Sequence, residues 1–374
     1  MTNTTAPMRV LIAAIRADIP VILWDEPGTG KTAVVESMFA DAGYHVETII
    51  ASHRDPSEMN GLPFVFENTV RQAPSEWVER VNATDKAVVF LDETTTAAPA
   101  VQAATLRMIN ERWVGDVRLG DHVRFVLAAN PPECAAGGFE LSAPTANRML
   151  HLNWKGVGVD DFAHALVNGF DTITPSFDNE GITEVSAERA ATRASLVGAY
   201  LMRNPAALHA LPDDPAAAGK AWPSRRTWHM LARIMGYLPD EDTEAVMTAA
   251  TGCVGEGVGM EFAVWVGNAD LPNPREVMAD PSIYDFTDPR LDRTFVLLTS
   301  VGAVAASDST KDTWLAAWDV LGAAAQAGRV DLAAGTARTL MAQRNKGWMP
   351  PKAALKEFVP MLTKAGLLST SDKA

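Results

Sequence analysis

Cysteine is nearly absent from this chain: only Cys134 and Cys253 occur in 374 residues. Two cysteines cannot build a disulfide framework or a four-cysteine zinc site, and they suit a reducing cytoplasm. Basic residues are also short, 32 lysines and arginines against 46 aspartates and glutamates, leaving a formal net charge of −14. An acidic surface repels a phosphate backbone, so general nucleic-acid binding is disfavoured. Long hydrophobic runs are missing. Those at Val10–Ile15, Val21–Trp24 and Val88–Leu91 fall far short of a bilayer span. The segment Met1–Pro7 has no basic stretch followed by an apolar one, so no secretory signal is read there. The seven histidines lack metal-ligand spacing. What is present is the composition of a globular protein, 47% hydrophobic and 21% charged, long enough for two or three domains. A cytoplasmic globular protein is expected.

Residues 1–154 alternate short β-branched runs with stretches of helical length, the pattern of an α/β parallel sheet flanked by helices. Strands are predicted at Val21–Trp24, Val46–Ala51, Ala87–Leu91 and Val123–Ala129. Helices are predicted at Thr32–Ala42 and Val101–Glu111. Two hairpin-like stretches lie between them, Phe64–Arg71 around Glu67-Asn68 and Trp113–Val123 around Gly120-Asp121. After Trp154, Ala, Leu and Met dominate and the β-branched runs fade. Residues 155–268 read as an all-α lid, with helical segments at Ala187–Asn204, Arg226–Tyr237, Asp242–Cys253 and Gly259–Val266. Residues 269–374 read as a proline-rich linker and a helical C-terminal region. There Ser309-Thr310-Lys311-Asp312 resembles a capping box, opening a helix with Trp314, Leu315, Trp318 and Leu321 on one face. Trp314, Trp318 and Met341 are expected in a core rather than around a cofactor.

The chemistry concentrates in three places. Asp25-Glu26-Pro27-Gly28-Thr29-Gly30-Lys31-Thr32 follows a strand and enters a helix. Such a turn aims several backbone N–H groups and the positive end of a helix dipole at one point, which makes an anion cradle. Gly28 and Gly30 permit the turn, Lys31 reaches terminal phosphates, and the Thr32 hydroxyl can ligate Mg²⁺. The pattern departs from G-x-x-x-x-G-K-[ST] at its first position, where Asp25 replaces Gly; a carboxylate there can weaken nucleotide binding. The second place is Val88-Val89-Phe90-Leu91-Asp92-Glu93, two carboxylates at the C-terminal end of a buried strand, the edge at which parallel sheets bind ligands. Asp92 would help hold Mg²⁺ and Glu93 would orient and polarise the attacking water. The third is Val126-Leu127-Ala128-Ala129-Asn130-Pro131, whose amide could hydrogen-bond the water or the γ-phosphate.

That order of motifs resembles the AAA+ ATPases, and most of all their MoxR group. The resemblance also rests on Asp55-Pro56-Ser57-Glu58-Met59-Asn60-Gly61-Leu62-Pro63, Ala146-Asn147-Arg148-Met149, Pro223-Ser224-Arg225-Arg226 and Val254-Gly255-Glu256-Gly257. It implies a P-loop NTPase core that binds ATP or ADP through Glu26, Pro27, Gly28, Thr29, Gly30, Lys31, Thr32, Ala33, Asp92, Asn130 and Arg226, with Mg²⁺ on Thr32 and Asp92. It implies Asn130 as sensor 1 and Arg148 as an arginine finger reaching a neighbouring subunit's γ-phosphate. Arg226 would be sensor 2, swinging from the lid onto the nucleotide, with Arg225 the alternative. Glu93, Lys31, Asn130, Arg148 and Arg226 then form the catalytic set. Both hairpins would face a central pore or a bound partner. The resemblance further implies a homo-oligomer, favouring a hexameric ring, that remodels or assembles a protein client, often beside a von Willebrand factor A domain protein. Two other readings compete: a DNA-directed machine of the clamp-loader or restriction type, which the charge opposes, and a nucleotide-dependent switch with weak turnover.

Overall fold

The computed structural model describes residues 5–131, 134, 138–156, 158–169, 177 and 181–368. Its strands are β1 (Val21–Trp24), β2 (His45–Ile50), β3 (Leu62–Phe66), β4 (Thr69–Ala73), β5 (Ala87–Asp92), β6 (Trp113–Val114), β7 (Val117–Arg118), β8 (Val123–Ala129) and β9 (Leu150–Asn153). Five of them form one sheet in the order β2-β5-β8-β1-β9. Every pairing in it is parallel. Continuous apolar runs suit strands covered on both faces, and β5 and β8 are buried along nearly their whole length. Because β1 lies between β8 and β9, with Trp24 beside Ala129 and Asn153, the residues that follow β1, β5 and β8 emerge along one sheet edge. The fold is thus an α/β P-loop sheet with flanking helices, followed by a largely helical part.

By packing, the chain forms two compact units: Met1–Thr183 with Ala207–Ala263, and Glu184–Ala206 with Val264–Ala374. The first contains the sheet, the helix Ala6–Arg16 that precedes it, and the helices Arg225–Tyr237 and Thr243–Val254. The second packs the helices Ala187–Arg203, Leu291–Asp308, Lys311–Gln326 and Val330–Ala342. Its core includes Leu298, Trp314, Trp318, Leu321, Met341 and Phe358. The Trp314 indole N–H donates to the Leu340 carbonyl at 3.1 Å, so its polar edge is satisfied inside the core. Among the described residues no helix is long and apolar enough to cross a membrane.

Two local expectations are corrected. The second hairpin turns at Gly115-Asp116, between β6 and β7, and not at Gly120-Asp121. Gly115 has a φ of 58° that the turn needs, whereas Gly120 is tied into the body by Asn82, whose side-chain oxygen accepts its N–H at 2.9 Å. Further on, Ser309 does not begin a helix. It ends the preceding one at a φ of 51°, and Thr310 is the cap, accepting from the Thr313 N–H. The first hairpin turns at Glu67 and Asn68, with φ of 46° and 62°. Its strands expose Leu62, Phe64, Val65, Phe66 and Val70.

Candidate functional site

The loop after β1 begins with Asp25, whose N–H donates to the Ala129 carbonyl at 3.3 Å. Gly28 and Gly30 have φ of 81° and 84°, and neither has a neighbour that a Cβ would meet. Side chains are excluded there by backbone conformation, and the loop's concave face stays open to a ligand. Gly30 caps the helix Lys31–Asp41. Lys31 is buried, and its ammonium donates to the Asp25 and Glu26 carbonyls at 2.9 and 2.8 Å and to Asn130 Oδ1 at 3.3 Å. Burial lowers its proton affinity, opposed by the charges of Asp25 and Asp92. Glu26, Pro27 and Gly28 are exposed in the loop, Thr29 is half-buried, and Ala33 is exposed on the first turn of the helix.

The Thr32 hydroxyl donates to Asp92 Oδ2 at 2.7 Å. Asp92 Oδ1 accepts the Glu93 N–H at 2.8 Å. A hydroxyl and a carboxylate side by side at the loop's end are the oxygen ligands that Mg²⁺ takes, so the pair fits that ion. Glu93 has a φ of 54°, a conformation that costs a non-glycine residue roughly 1 kcal/mol or more. It turns the carboxylate off the strand, where the Ser52 hydroxyl donates to it. Asp25 fits an anionic ligand less well: its Oδ1 accepts from the Glu26 N–H at 2.8 Å, while its buried Oδ2 has no hydrogen-bond partner among the described residues.

The arginines occupy a second region of the same unit. Arg148 Nη1 donates to the Pro144 carbonyl at 2.6 Å. Burial and the neighbouring charge of Arg226 weaken its hold on its proton. Arg225 and Arg226 open the helix Arg225–Tyr237, where the positive end of the dipole disfavours cations. Among the described residues none of the three has a carboxylate within ion-pair distance. An anion placed between such groups would favour their charged forms.

The fold therefore gathers Lys31, Thr32, Asp92 and Asn130 through direct hydrogen bonds, sets Glu93 beside Asp92, and brings Arg148 to Arg226. Sequence reasoning gave no role to three groups. Ser52 holds Glu93. Asn147 Oδ1 accepts from the Ser224 hydroxyl at 2.7 Å, and its amide donates to the Trp222 carbonyl at 3.4 Å. His151 accepts the Trp24 indole N–H on Nδ1 at 3.0 Å, and its Nε2 lies 2.9 Å from the Ala146 carbonyl. Full burial pushes the His151 pKa down to about 4, so the ring is neutral. The partners lie 77 and 127 positions apart in sequence, so only the fold reveals them.

Residues 20–149 match the model of the AAA domain, dynein-related subfamily. No curated protein matches the chain. Among solved structures, a "putative ATPase" from Cytophaga hutchinsonii ATCC 33406 is similar at 17% identity and a TM-score of 0.39, covering 69% of this chain and 78% of that one.

Proposed function

From the match of residues 20–149 to an AAA domain, we propose that the chain is an AAA+ ATPase that hydrolyses ATP with Mg²⁺ at subunit interfaces and uses the cycle to remodel or assemble partner proteins, as a MoxR-like machine. The observation that carries this reading is the single cluster of Lys31, Thr32, Asp92 and Asn130, joined by hydrogen bonds of 2.7 to 3.3 Å at one sheet edge. When bound, Mg²⁺·ATP supplies the phosphoanhydride and a divalent charge. Gly28 and Gly30 cradle the phosphates, and Lys31 exchanges its carbonyl partners for phosphate oxygens. Thr32 and Asp92 hold the ion. Glu93, once released by Ser52, orients and polarises the attacking water, with Asn130 beside it. Arg226 and Arg148 meet developing negative charge, Arg148 on the neighbouring subunit's nucleotide. That role requires an oligomer, and a hexameric ring is our choice. The exposed apolar strands β3 and β4 would meet a protein client or a von Willebrand factor A domain partner.

Steady-state phosphate release tests the reading. Wild type should turn over ATP, and Glu93→Gln should lose at least ~100-fold in kcat while still binding nucleotide. Unchanged turnover in Glu93→Gln would reject the catalytic assignment. A monomer at every protein and ATP concentration would reject the trans role of Arg148.

A further inference from the structure

The turn that carries Arg148 is held from two sides by buried side chains outside the nucleotide machinery. One side leads to the phosphate loop. An indole N–H can only donate, so His151 Nδ1 must accept from Trp24. A neutral imidazole then carries its one proton on Nε2, which donates to the Ala146 carbonyl at 2.9 Å. The Trp24 and His151 rings are nearly coplanar, 12° from parallel with centroids 6.0 Å apart, as suits an in-plane N–H···N bond. Trp24 ends β1, and the next residue, Asp25, presents the carbonyl that holds the Lys31 ammonium. The other side leads to the arginine helix. Asn147, one residue on from Ala146, is buried and accepts the Ser224 hydroxyl proton. Ser224 in turn caps the helix that starts with Arg225 and Arg226, accepting from the Thr227 N–H at 3.2 Å.

We infer that Asn147 and His151 are positioning residues: the rod Trp24–His151–Ala146 and the latch Asn147–Ser224 keep Arg148 and Arg226 in fixed register with each other and with the phosphate loop. Every group in the chain is oriented. The imidazole has one tautomer, and the amide has one orientation because Trp222 and Ser224 face its two ends as acceptor and donor. Burial makes each unsatisfied partner costly, so the network has one favoured arrangement. Displacement of the loop is therefore passed to the arginine turn rather than absorbed between them.

The inference rests on the reading that both arginines act on phosphate, and the test separates the two. Full-length wild type, Arg148→Ala, Arg226→Ala, Asn147→Leu, His151→Leu and His151→Gln are compared in ATP titrations, with thermal melting of each. Asn147→Leu and His151→Leu should lower kcat roughly tenfold with KM within about threefold. His151→Gln keeps an acceptor toward Trp24 and a donor toward Ala146, and should recover kcat to within about threefold of wild type. A purely structural role predicts loss of melting temperature with kcat per folded molecule unchanged, and that result would overturn the inference. If Asn147→Leu does not fold, the His151 pair decides: equal kcat in His151→Leu and His151→Gln also overturns it. If Arg148→Ala and Arg226→Ala both keep wild-type kcat, the functional reading itself fails and the positioning role with it. If they lose ~100-fold while Asn147→Leu and His151→Leu stay at wild-type kcat, only the positioning role fails.

Discussion

Lys31 on one side and the Arg148–Arg226 pair on the other are both cationic groups that the proposed function sets against negative charge, yet the protein treats them differently. Lys31 is buried with three oxygen partners from its own chain, two of them backbone carbonyls of the phosphate loop. Neutral oxygens solvate its charge, and nucleotide binding there would be an exchange of partners with little net desolvation. Arg148 is disfavoured as a cation by its own burial and by the charge of Arg226, Arg226 stands at the N-terminal end of a helix, and no carboxylate pairs with either among the described residues. Such a pair gains free energy only when an anion arrives. Under the proposed function the lysine region would recognise the nucleotide in the ground state. The arginine region would meet charge that grows during reaction, and interactions of that kind raise kcat rather than lower KM.

The comparison can be broken most sharply at the arginines. Arg148→Ala should lower kcat by roughly 100-fold or more with nucleotide affinity within a few-fold. Phosphate-release kinetics beside fluorescent-nucleotide titration would show this, and a loss confined to affinity would erase the proposed difference. The next effect concerns the strut between the regions. His151 titrates at an ordinary 6.5 when unfolded and at about 4 when folded. The unfolded chain therefore takes up the proton first as pH falls. Stability is fully present above about pH 6.5 and declines through the window down to pH 4, by about 3 kcal/mol from this group. Urea unfolding of wild type and His151→Gln across that window should show the steeper loss in wild type.

Asp25 gives a smaller and opposite effect. Its orphaned buried oxygen and negative charge lie in the phosphate loop itself, so Asp25→Gly should tighten nucleotide binding roughly tenfold. Weaker binding would show that the carboxylate contributes to the loop's shape more than it repels phosphate. The smallest effect belongs to Ser52, whose single hydrogen bond restrains Glu93. Removing it in Ser52→Ala should raise basal turnover roughly threefold, read in the same phosphate-release assay. A fall in basal turnover would show that Ser52 aids the reacting geometry of Glu93.

Legibility in the sequence followed the range of the interactions involved. β1, β5 and β8 could be read because strands buried on both faces are apolar throughout, and the phosphate loop because its glycines and lysine are contiguous. β9 was missed. It is only Leu150-His151-Leu152-Asn153, and its buried histidine interrupts the apolar pattern, although Trp24 and Ala146 satisfy both ring nitrogens. The turn at Gly115-Asp116 was confused with Gly120-Asp121, since both dipeptides suit a turn. The choice between them is made by tertiary contacts: Asp116 donates its N–H to the Gln72 carbonyl and accepts the Gln72 N–H, both at 3.0 Å. Ser52 carried no local signal at all, because nothing near it in sequence names Glu93 as its partner.

The placement of β1 between two later strands of the sheet bears on how the protein is made. Its neighbours are β8 and β9, so Val21 finds its partners only at Val126 and Leu150. During synthesis the phosphate loop leaves the ribosome before its neighbours and has no complete scaffold until Asn153 follows. At ordinary elongation rates that interval is on the order of ten seconds. For that time the nascent chain carries Val21–Trp24 as an apolar segment with unpaired edges, and slowing translation between residues 24 and 153 should lengthen its exposure to chaperones.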